Sequence, residues 1–207
     1  MMLLSILSVL GGPSDDNLVA RIRDGDLHAF SALVRRYQDR VYGLCLRWLG
    51  DGAGAEDTAQ EVFVALYRSL DRFRGESSLS TWIFRITVNH CKNRKMSRER
   101  RAWGRHVPLD GAQWDEGPER QVAADGPWAD AGAEQSHAEA LVRQGLEALS
   151  EEHRQVIVLR DIQDLDYDEI AAILDLPRGT VKSRLHRARA ELARVLRNRI
   201  DPGDVKV

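Results

Sequence analysis

The amino-acid sequence predicts an all-α fold of two small helical domains joined by a flexible acidic linker. Apolar residues recur with the 3.6-residue spacing of helices through most of the 207 residues, and no strand-like alternation persists. Between residues 102 and 134 the helical spacing is lost in an acidic stretch rich in glycine and proline. Such a stretch is unusual inside a compact domain, so it indicates a domain boundary.

The chain is therefore expected to consist of a leader over residues 1–14, a first domain over 15–101, a linker over 102–134, a second domain over 135–200 and a tail over 201–207. The leader is apolar and expected to be disordered. Its apolar run of about ten residues is too short to cross a bilayer, which requires about 20. The sequence therefore predicts a cytoplasmic protein with no stable membrane association of its own.

The first domain is predicted to open with a short amphipathic helix and a long one. Asp24-Gly25-Asp26 marks the break between them. The long helix follows from an apolar stripe at helical spacing, formed by Phe30, Leu33, Val34, Tyr37, Val41, Leu44, Cys45 and Trp48. Glycines between positions 50 and 54 end this pattern, as is typical of helix exits.

A third and a fourth helix complete this domain. The third is predicted to bury an apolar face formed by Ala59, Val62, Phe63, Leu66 and Leu70. Its other face is acidic near the N-terminal end, where carboxylates suit the helix dipole, and carries Glu56, Asp57, Gln60 and Glu61. A glycine- and serine-rich loop over residues 73–78 leads into the fourth helix, with Leu79, Trp82, Ile83 and Ile86 on one stripe and a strongly basic end.

The second domain is predicted to contain a helix-turn-helix. After a helix around residues 138–149, Ser150 is predicted to be the N-cap of a helix that includes Val156, Ile157 and Leu159. Asp166 and Glu169 have the spacing of a capping box, which opens the next helix. Residues 176–179 interrupt it, and a long helix starts near Thr180. Two helices joined by about four turn residues are typical of this motif.

The last long helix is predicted to be two-sided. Its buried face is formed by Val181, Leu185, Ala188, Leu192 and Val195. Lys182, Ser183, His186 and Arg187 fall on the opposite side, because successive helical residues are about 100° apart. Positive charge and hydrogen-bond donors on one face are what a helix in the DNA major groove needs. The pattern therefore indicates a helix that reads duplex DNA.

The net charge of −2 conceals two basic blocks. One extends from His90 to Arg105 and the other from Arg178 to Arg199, with the acidic linker between them. Basic residues can follow a phosphate backbone, and nearby aromatic rings can hold unstacked bases. The first block follows the aromatic run from Trp82 to Phe84, although Trp82 itself lies on the predicted core stripe.

Enzymatic, metal and cofactor functions have no support in the sequence. It contains no phosphate-cradling glycine loop, no HExxH pattern and no Cys/His metal spacing. We therefore expect no catalytic residue, no metal site and no cofactor. Cys45 and Cys91 lie within helical patterns, which favours two buried, reduced thiols of a cytosolic protein.

Two runs of the sequence resemble the extracytoplasmic-function sigma factors. The run AEDTAQEVFVALYRSLDRFRGESSLSTWIFRITVNHCKNRK, from Ala55 to Lys95, resembles region 2 of that family, and the run from Leu146 to Leu192 resembles region 4. The resemblance implies an alternative sigma factor that binds core RNA polymerase and directs promoter recognition, DNA melting and transcription initiation. It also implies a response to a stress or envelope signal.

The resemblance implies partners and site residues as well. The partners are promoter DNA, an anti-sigma factor, and core RNA polymerase through its β′ coiled coil and β flap. Polymerase contact is implied for Asp57, Gln60, Glu61 and Phe63. Contact with the melted minus-ten element is implied for Gly75, Ser77, Ser78, Arg85, Asn89, His90, Lys92, Asn93, Arg94 and Lys95. Contact with the minus-thirty-five element is implied for Arg178, Thr180, Lys182, Ser183, Arg184, His186 and Arg187.

Two other interpretations remain open from the residues alone. A conventional DNA-binding regulator would use the first domain for sensing or dimerisation, and the purified protein would bind duplex DNA by itself. A protein-interaction scaffold would use the acidic third helix without DNA, although the two basic blocks argue against it. An enzyme has no supporting feature.

Overall fold

The computed structural model describes residues 12–104 and 137–200, and within these ranges the chain is helical with no strand. The helices of the first range are α1 (Asp15–Arg23), α2 (Leu27–Leu49), α3 (Gly52–Ser69) and α4 (Leu79–Gly104). Those of the second are α5 (His137–Glu147), α6 (Glu151–Ile157), α7 (Tyr167–Leu174) and α8 (Arg178–Ile200). The predicted all-α fold is confirmed, and none of these helices has the length and apolarity to cross a bilayer.

Most of the predicted leader, nearly all of the linker and the tail lie outside the described residues. The predicted domain limits therefore stay predictions. The structure does extend α4 through Gly104, three residues past the predicted end of the first domain.

The predicted breaks around α2 are confirmed. Asp26 is the N-cap of α2, and its side chain accepts hydrogen bonds from the backbone N–H groups of His28 and Ala29 at 2.9 and 3.2 Å. Gly50 ends the helix at a φ of 77°, a conformation that glycine adopts without strain. The glycines that follow do not form a loop, because Asp51 caps α3 and Gly52 is already helical.

One core joins the four helices of the first range. α2 packs against α1, α3 and α4, and α3 also packs against α4. The predicted apolar faces of α2 and α3 are inside, with Leu33, Val41, Leu44, Val62 and Leu66 fully buried. α4 contributes Ile83, Phe84, Val88 and Cys91 to the same core.

The two cysteines are free and buried in this core, as predicted. A hydrogen bond with Cys91, together with burial, raises the pKa of the Cys45 thiol far above its ordinary value. Cys45 of α2 and Cys91 of α4 are both fully buried. The Cys45 thiol therefore remains protonated and unreactive in the folded chain.

The connection from α3 to α4 is held in place by α1. A 3-10 turn, Leu70–Arg72, continues from α3 and leads into an exposed loop in which Gly75 has a φ of 72°. The Arg23 guanidinium of α1 donates to the carbonyl of Leu70 at 3.1 Å and to that of Phe73. These bonds and the packing of the Phe73 ring on Trp82 fix where the loop begins.

The predicted caps of the second range are confirmed. Ser150 accepts a hydrogen bond from the His153 backbone at 3.4 Å, and Asp166 with Glu169 forms the predicted capping box. α6 is shorter than the sequence indicated, because a π-helical turn, Val158–Ile162, replaces its continuation. α8 begins at Arg178, earlier than predicted, since the Pro177 carbonyl accepts from the N–H groups of Thr180 and Val181.

The two helical groups also pack against each other. α4 contacts α7, and α2 contacts α5. Arg40 of α2 bonds to Gln163, which follows the π-helical turn, and Lys95 of α4 pairs with Glu151 of α6. Nothing in the sequence pattern predicted these contacts, which join residues more than 50 positions apart in the chain.

Candidate DNA and polymerase interfaces

The N-terminal half of α3 is buried on one side and acidic on the other. Thr58 and Ala59 lie in the core, whereas Asp57 and Glu61 have more than half of their side chains exposed, 57% and 56%. Gln60 is exposed beside them. Three of the four residues predicted for polymerase contact therefore form one exposed face.

Phe63, the fourth, lies in the core with an exposure of 7%. Its position follows from helix geometry, because it is one residue from Val62 on the buried face of α3 and points away from Glu61. The structure thus places Phe63 beneath this face rather than on it. The apolar side chains that the surface does present here are Val64 and Tyr67, which are about half exposed and which the sequence pattern did not indicate.

An open groove runs beside this acidic face between α3 and α4. It is lined by Asp57, Gln60, Glu61, Val64, Arg68 and His90. The Tyr67 ring nearby is held edge-on against Phe30 of α2, with 4.9 Å between the ring centroids. The groove combines carboxylates with apolar carbon, which suits a partner that presents both positive charge and apolar side chains.

Ion pairs connect the acidic face of α3 to the basic side of α4. The Arg94 guanidinium lies 2.7 Å from an Asp57 carboxylate oxygen and 3.6 Å from one of Glu61. His90 Nδ1 lies 3.5 Å from the other Glu61 oxygen. Two residues predicted for DNA contact thus have as their neighbours two residues predicted for polymerase contact.

A line of exposed polar residues follows α4. Arg85, Asn89 and Asn93 are each one helical turn apart and exposed, so their side chains point the same way. Lys92 and Lys95 lie at its border and are partly buried. These donors are arranged along about two turns of helix, which suits contacts with successive nucleotides of a single strand.

The loop before α4 presents hydroxyl groups at the start of that helix. Gly75 and Ser77 are exposed, and Ser78 accepts a hydrogen bond from the Thr81 backbone N–H at 3.1 Å, which makes it a helix cap. Thr81, only 3% exposed, has its hydroxyl against Ser78 at 2.6 Å. Thr81 was not among the predicted site residues, because a buried threonine in an apolar helix start has no distinguishing pattern.

The outer face of α8 matches its predicted composition. Lys182, Ser183, His186 and Arg187 are exposed on the side opposite buried Val181 and Leu185, and Arg178 is exposed at the start of the helix. The remaining two predicted residues, Thr180 and Arg184, are less exposed.

Thr180 is partly buried in the first turn, and its carbonyl accepts from the Ser183 hydroxyl at 3.0 Å. Arg184 points toward α6, where its guanidinium lies 3.2 Å from Glu152. Arg184 therefore ties α8 to α6. Arg178 pairs more loosely with Asp168 of α7, at 3.4 Å with both side chains mostly exposed.

The start of α3 is fixed by a charged cap. Asp51 accepts a hydrogen bond from the Gly54 backbone N–H at 2.5 Å and forms an ion pair with Arg98 of α4. The bond from the Arg98 guanidinium, followed by that from Gly54, lowers the pKa of the Asp51 carboxyl. The N-terminal end of the acidic face is thereby tied to the basic helix.

Comparison with known protein families gives two matches. The model of sigma-70 region 2 matches residues 33–101, and that of sigma-70 region 4 matches residues 139–192. Among curated proteins, the RNA polymerase sigma-H factor of Pseudomonas aeruginosa is 37% identical over 88% of this chain and 93% of its own length. The ECF RNA polymerase sigma-E factor of Escherichia coli K12 is 38% identical over 85% of this chain and 91% of its own.

Two solved structures share the fold. One is the sigma factor RpoE in complex with the anti-sigma factor NepR from Bartonella quintana, with a TM-score of 0.63, 22% identity, and coverage of 81% of this chain and 96% of that one. The other is CnrH in complex with the cytosolic domain of CnrY, with a TM-score of 0.60, 27% identity, and coverage of 86% and 94%.

The Asp51–Arg98 pair should stabilise the protein only while Asp51 is ionised. Because folding lowers this pKa, the contribution is complete above the ordinary aspartate pKa of about 4 and is lost as the pH falls through the lower folded-state pKa. Asp51→Asn retains a capping oxygen but no charge. We expect it to lower the free energy of unfolding by up to about 1 kcal/mol at pH 7, the range for exposed ion pairs.

Urea denaturation followed by circular dichroism at several pH values measures this difference. It should shrink below about pH 4 and should be smaller at pH 7 when both proteins also carry Arg98→Gln, because the Gly54 bond to the charged cap then remains without the ion pair. A gap that persists unchanged at low pH would show that the charge of Asp51 is not its cause.

Proposed function

The chain belongs to the extracytoplasmic-function sigma factors of the sigma-70 family, and on this premise we propose how its surfaces divide the work of initiation. It is an alternative sigma factor that binds core RNA polymerase and directs promoter recognition, DNA melting and transcription initiation. The exposure, charge and placement of individual residues support the role that we propose for each. The proposed domain limits remain 15–101 and 135–200.

The exposed acidic face of α3 is the proposed polymerase contact. Asp57, Gln60 and Glu61 present acceptors beside the apolar surface of Val64 and Tyr67. Their proposed partner is the β′ coiled coil, with the second domain meeting the β flap. Phe63 supports this face from within the core, so its role is to keep α3 in position.

The loop before α4 and the exposed line on α4 are the proposed site for melted minus-ten DNA. Gly75, Ser77 and Ser78 border the bases, and Arg85, Asn89 and Asn93 follow the strand. His90, Lys92, Arg94 and Lys95 add positive charge along the helix. Unstacking a base step costs a few kcal/mol, and contacts of about 1–3 kcal/mol per base offset it.

The outer face of α8 is the proposed reader of the minus-thirty-five duplex. Lys182, Ser183, His186 and Arg187 supply base-edge and phosphate contacts from a major groove, with Arg178 and Thr180 at the entry end. Arg184 contributes by holding α8 against α6. The single observation that supports this function best is that one chain carries this exposed donor face and the acidic face of α3, each within its matching family region.

Membership of this family also supports a proposal about where the protein works and how it is controlled. We propose that the protein works in the cytoplasm without covalent chemistry of its own, and that a stress or envelope signal controls it through an anti-sigma factor. The RpoE and CnrH structures with this fold are described as complexes, one with an anti-sigma factor and one with a cytosolic domain. Such a partner would cover the region 2 and region 4 surfaces.

Run-off transcription with core polymerase tests the central proposal. The purified protein, added to core polymerase and a genomic promoter library, should start transcripts that neither component starts alone. A conventional regulator would instead bind duplex DNA by itself and start none. The absence of any transcript dependent on the added protein would contradict the proposal.

Substitutions in the two DNA surfaces should have different effects. Lys182→Ala and Arg187→Ala should reduce promoter binding by polymerase, by about 5- to 150-fold if each contact is worth about 1–3 kcal/mol, and only at promoters with an intact minus-thirty-five element. Asn89→Ala should leave initial binding nearly unchanged and reduce duplex opening, measured by permanganate reactivity.

Arg194→Ala provides the matched control, since Arg194 is exposed farther along α8 and outside the proposed contacts. It should behave like the unsubstituted protein. The division of labour is wrong if Lys182→Ala, Arg187→Ala and Asn89→Ala impair binding and opening to the same extent.

Affinity purification from native cells tests for the regulator. A tagged chain should recover, besides core polymerase, one further protein that suppresses the run-off signal when added back. Repeated recovery of core polymerase alone would count against control by an anti-sigma factor.

A further inference from the structure

The two helical groups meet at a contact between Arg40 and Gln163, the Arg40–Gln163 joint, whose polar groups hydrogen-bond to one another. Arg40 of α2 donates from Nε to the Gln163 side-chain oxygen at 3.1 Å and from Nη2 to the Gln163 carbonyl at 2.9 Å. The Gln163 amide donates back to the Arg40 carbonyl at 3.5 Å. Gln163 is only 5% exposed, and the Arg40 guanidinium stacks on Phe84 at 4.7 Å from the ring centroid. Such a set of mutually satisfied partners, with Gln163 buried and Arg40 partly buried, favours one arrangement of the two groups.

In this arrangement, a carboxylate of the second helical group contacts residues 75–81, the minus-ten loop of the proposed function. Glu169 of α7 accepts a hydrogen bond from the Ser78 hydroxyl at 3.0 Å and another from the Thr81 hydroxyl. Its other oxygen accepts from the Asp166 backbone N–H at 2.9 Å as part of the capping box. The helix-turn-helix cap and the start of α4 thus share one side chain.

The donors that hold Glu169 are those that nucleic acid would need. A carboxylate only accepts hydrogen bonds, and phosphate oxygens and most exposed base edges offer acceptors to the same hydroxyls. The start of a helix also favours negative charge, whether it comes from a side chain or from a phosphate. Glu169 and DNA therefore compete for Ser78 and Thr81, and the negative charge of Glu169 additionally repels phosphates.

We infer that Glu169 blocks the hydroxyl groups of Ser78 and Thr81 in the minus-ten loop and is held there by the Arg40–Gln163 joint. The chain without polymerase therefore has a reduced affinity for melted DNA. This inference deepens the proposed function of that loop and rests on it. The acidic face of α3 and the outer face of α8 remain exposed in the same arrangement. Polymerase can therefore reach the acidic face of α3 in the closed arrangement, whereas contact of the melted strand with Ser78 and Thr81 requires the two groups to separate.

Arg40→Ala and Gln163→Ala each remove one partner of the Arg40–Gln163 joint, the first from one helical group and the second from the other. In the full chain without polymerase, each should increase hydrogen exchange in residues 75–81. Each should also tighten binding of a single-stranded oligonucleotide that carries a non-template minus-ten sequence, by about tenfold if the closed arrangement holds about 90% of the molecules. Their double variant should gain no more than either alone, because both remove the same contact.

Arg36→Ala is the matched control. Arg36 lies one turn before Arg40 on α2 and carries the same charge, but it pairs with Asp15 inside the first group at 2.5 Å. It should leave exchange and oligonucleotide binding unchanged. Gln163 lies in the other group from the loop, so an effect of Gln163→Ala on loop exchange does not arise from damage to the core around Phe84.

Glu169→Gln tests whether the negative charge of Glu169 hinders DNA binding. Glutamine also completes a capping box, so α7 keeps its cap while the negative charge is removed. We expect tighter oligonucleotide binding than in the unsubstituted chain, with a smaller gain than for Arg40→Ala. Unchanged binding would show that the Glu169 carboxylate does not compete with DNA.

The inference is overturned if Arg40→Ala and Gln163→Ala both exchange and bind oligonucleotide like the unsubstituted chain. Transcription at saturating polymerase provides a separate readout and should be the same for all of these variants, since none of the changed residues is a proposed polymerase or DNA contact. If no protein starts transcripts, the proposed function fails, and the exchange data still decide whether the closed joint exists.

Discussion

The burial of one side of α4 against α2 and α3 is the interaction on which the rest of the structure depends. Phe84, Ile83, Val88 and Cys91 are fully buried along this side, and burying each large apolar side chain contributes about 1.5–3 kcal/mol. Because the helix is regular, this packing turns Arg85 outward and aligns the other exposed polar residues with it. The loop before α4 and the acidic face of α3 are then held at set positions relative to that line.

Charge is arranged locally even though the whole chain is nearly neutral. Arg94 lies between Asp57 and Glu61, and Arg98 lies beside Asp51, so the basic helix and the acidic face of α3 meet along one seam. Exposed ion pairs of this kind contribute about 0–1 kcal/mol each. Their main consequence is geometric, because they orient the side chains that we propose for contact with polymerase and DNA.

Secondary structure, caps and buried faces were largely predictable from local patterns. The stripe from Phe30 to Trp48 and the capping box at Asp166 are repeated or paired at short spacing, and helix geometry alone converts such spacing into a face or a cap. The errors were local as well. Asp51 started α3 among glycines, Pro177 moved the start of α8, and a π-helical turn shortened α6.

The sequence by itself determined that the protein is helical, which faces of its helices are apolar, and which family its two runs resemble, since these depend on residues close together in the chain. Only the tertiary structure decided that Arg184 points to α6 and that Thr81 is buried with its hydroxyl against Ser78. It alone brought Gln163 to Arg40 and Glu169 to Ser78. Such pairs are set by how whole helices pack, and no local spacing encodes a contact between residues about 90 or more positions apart.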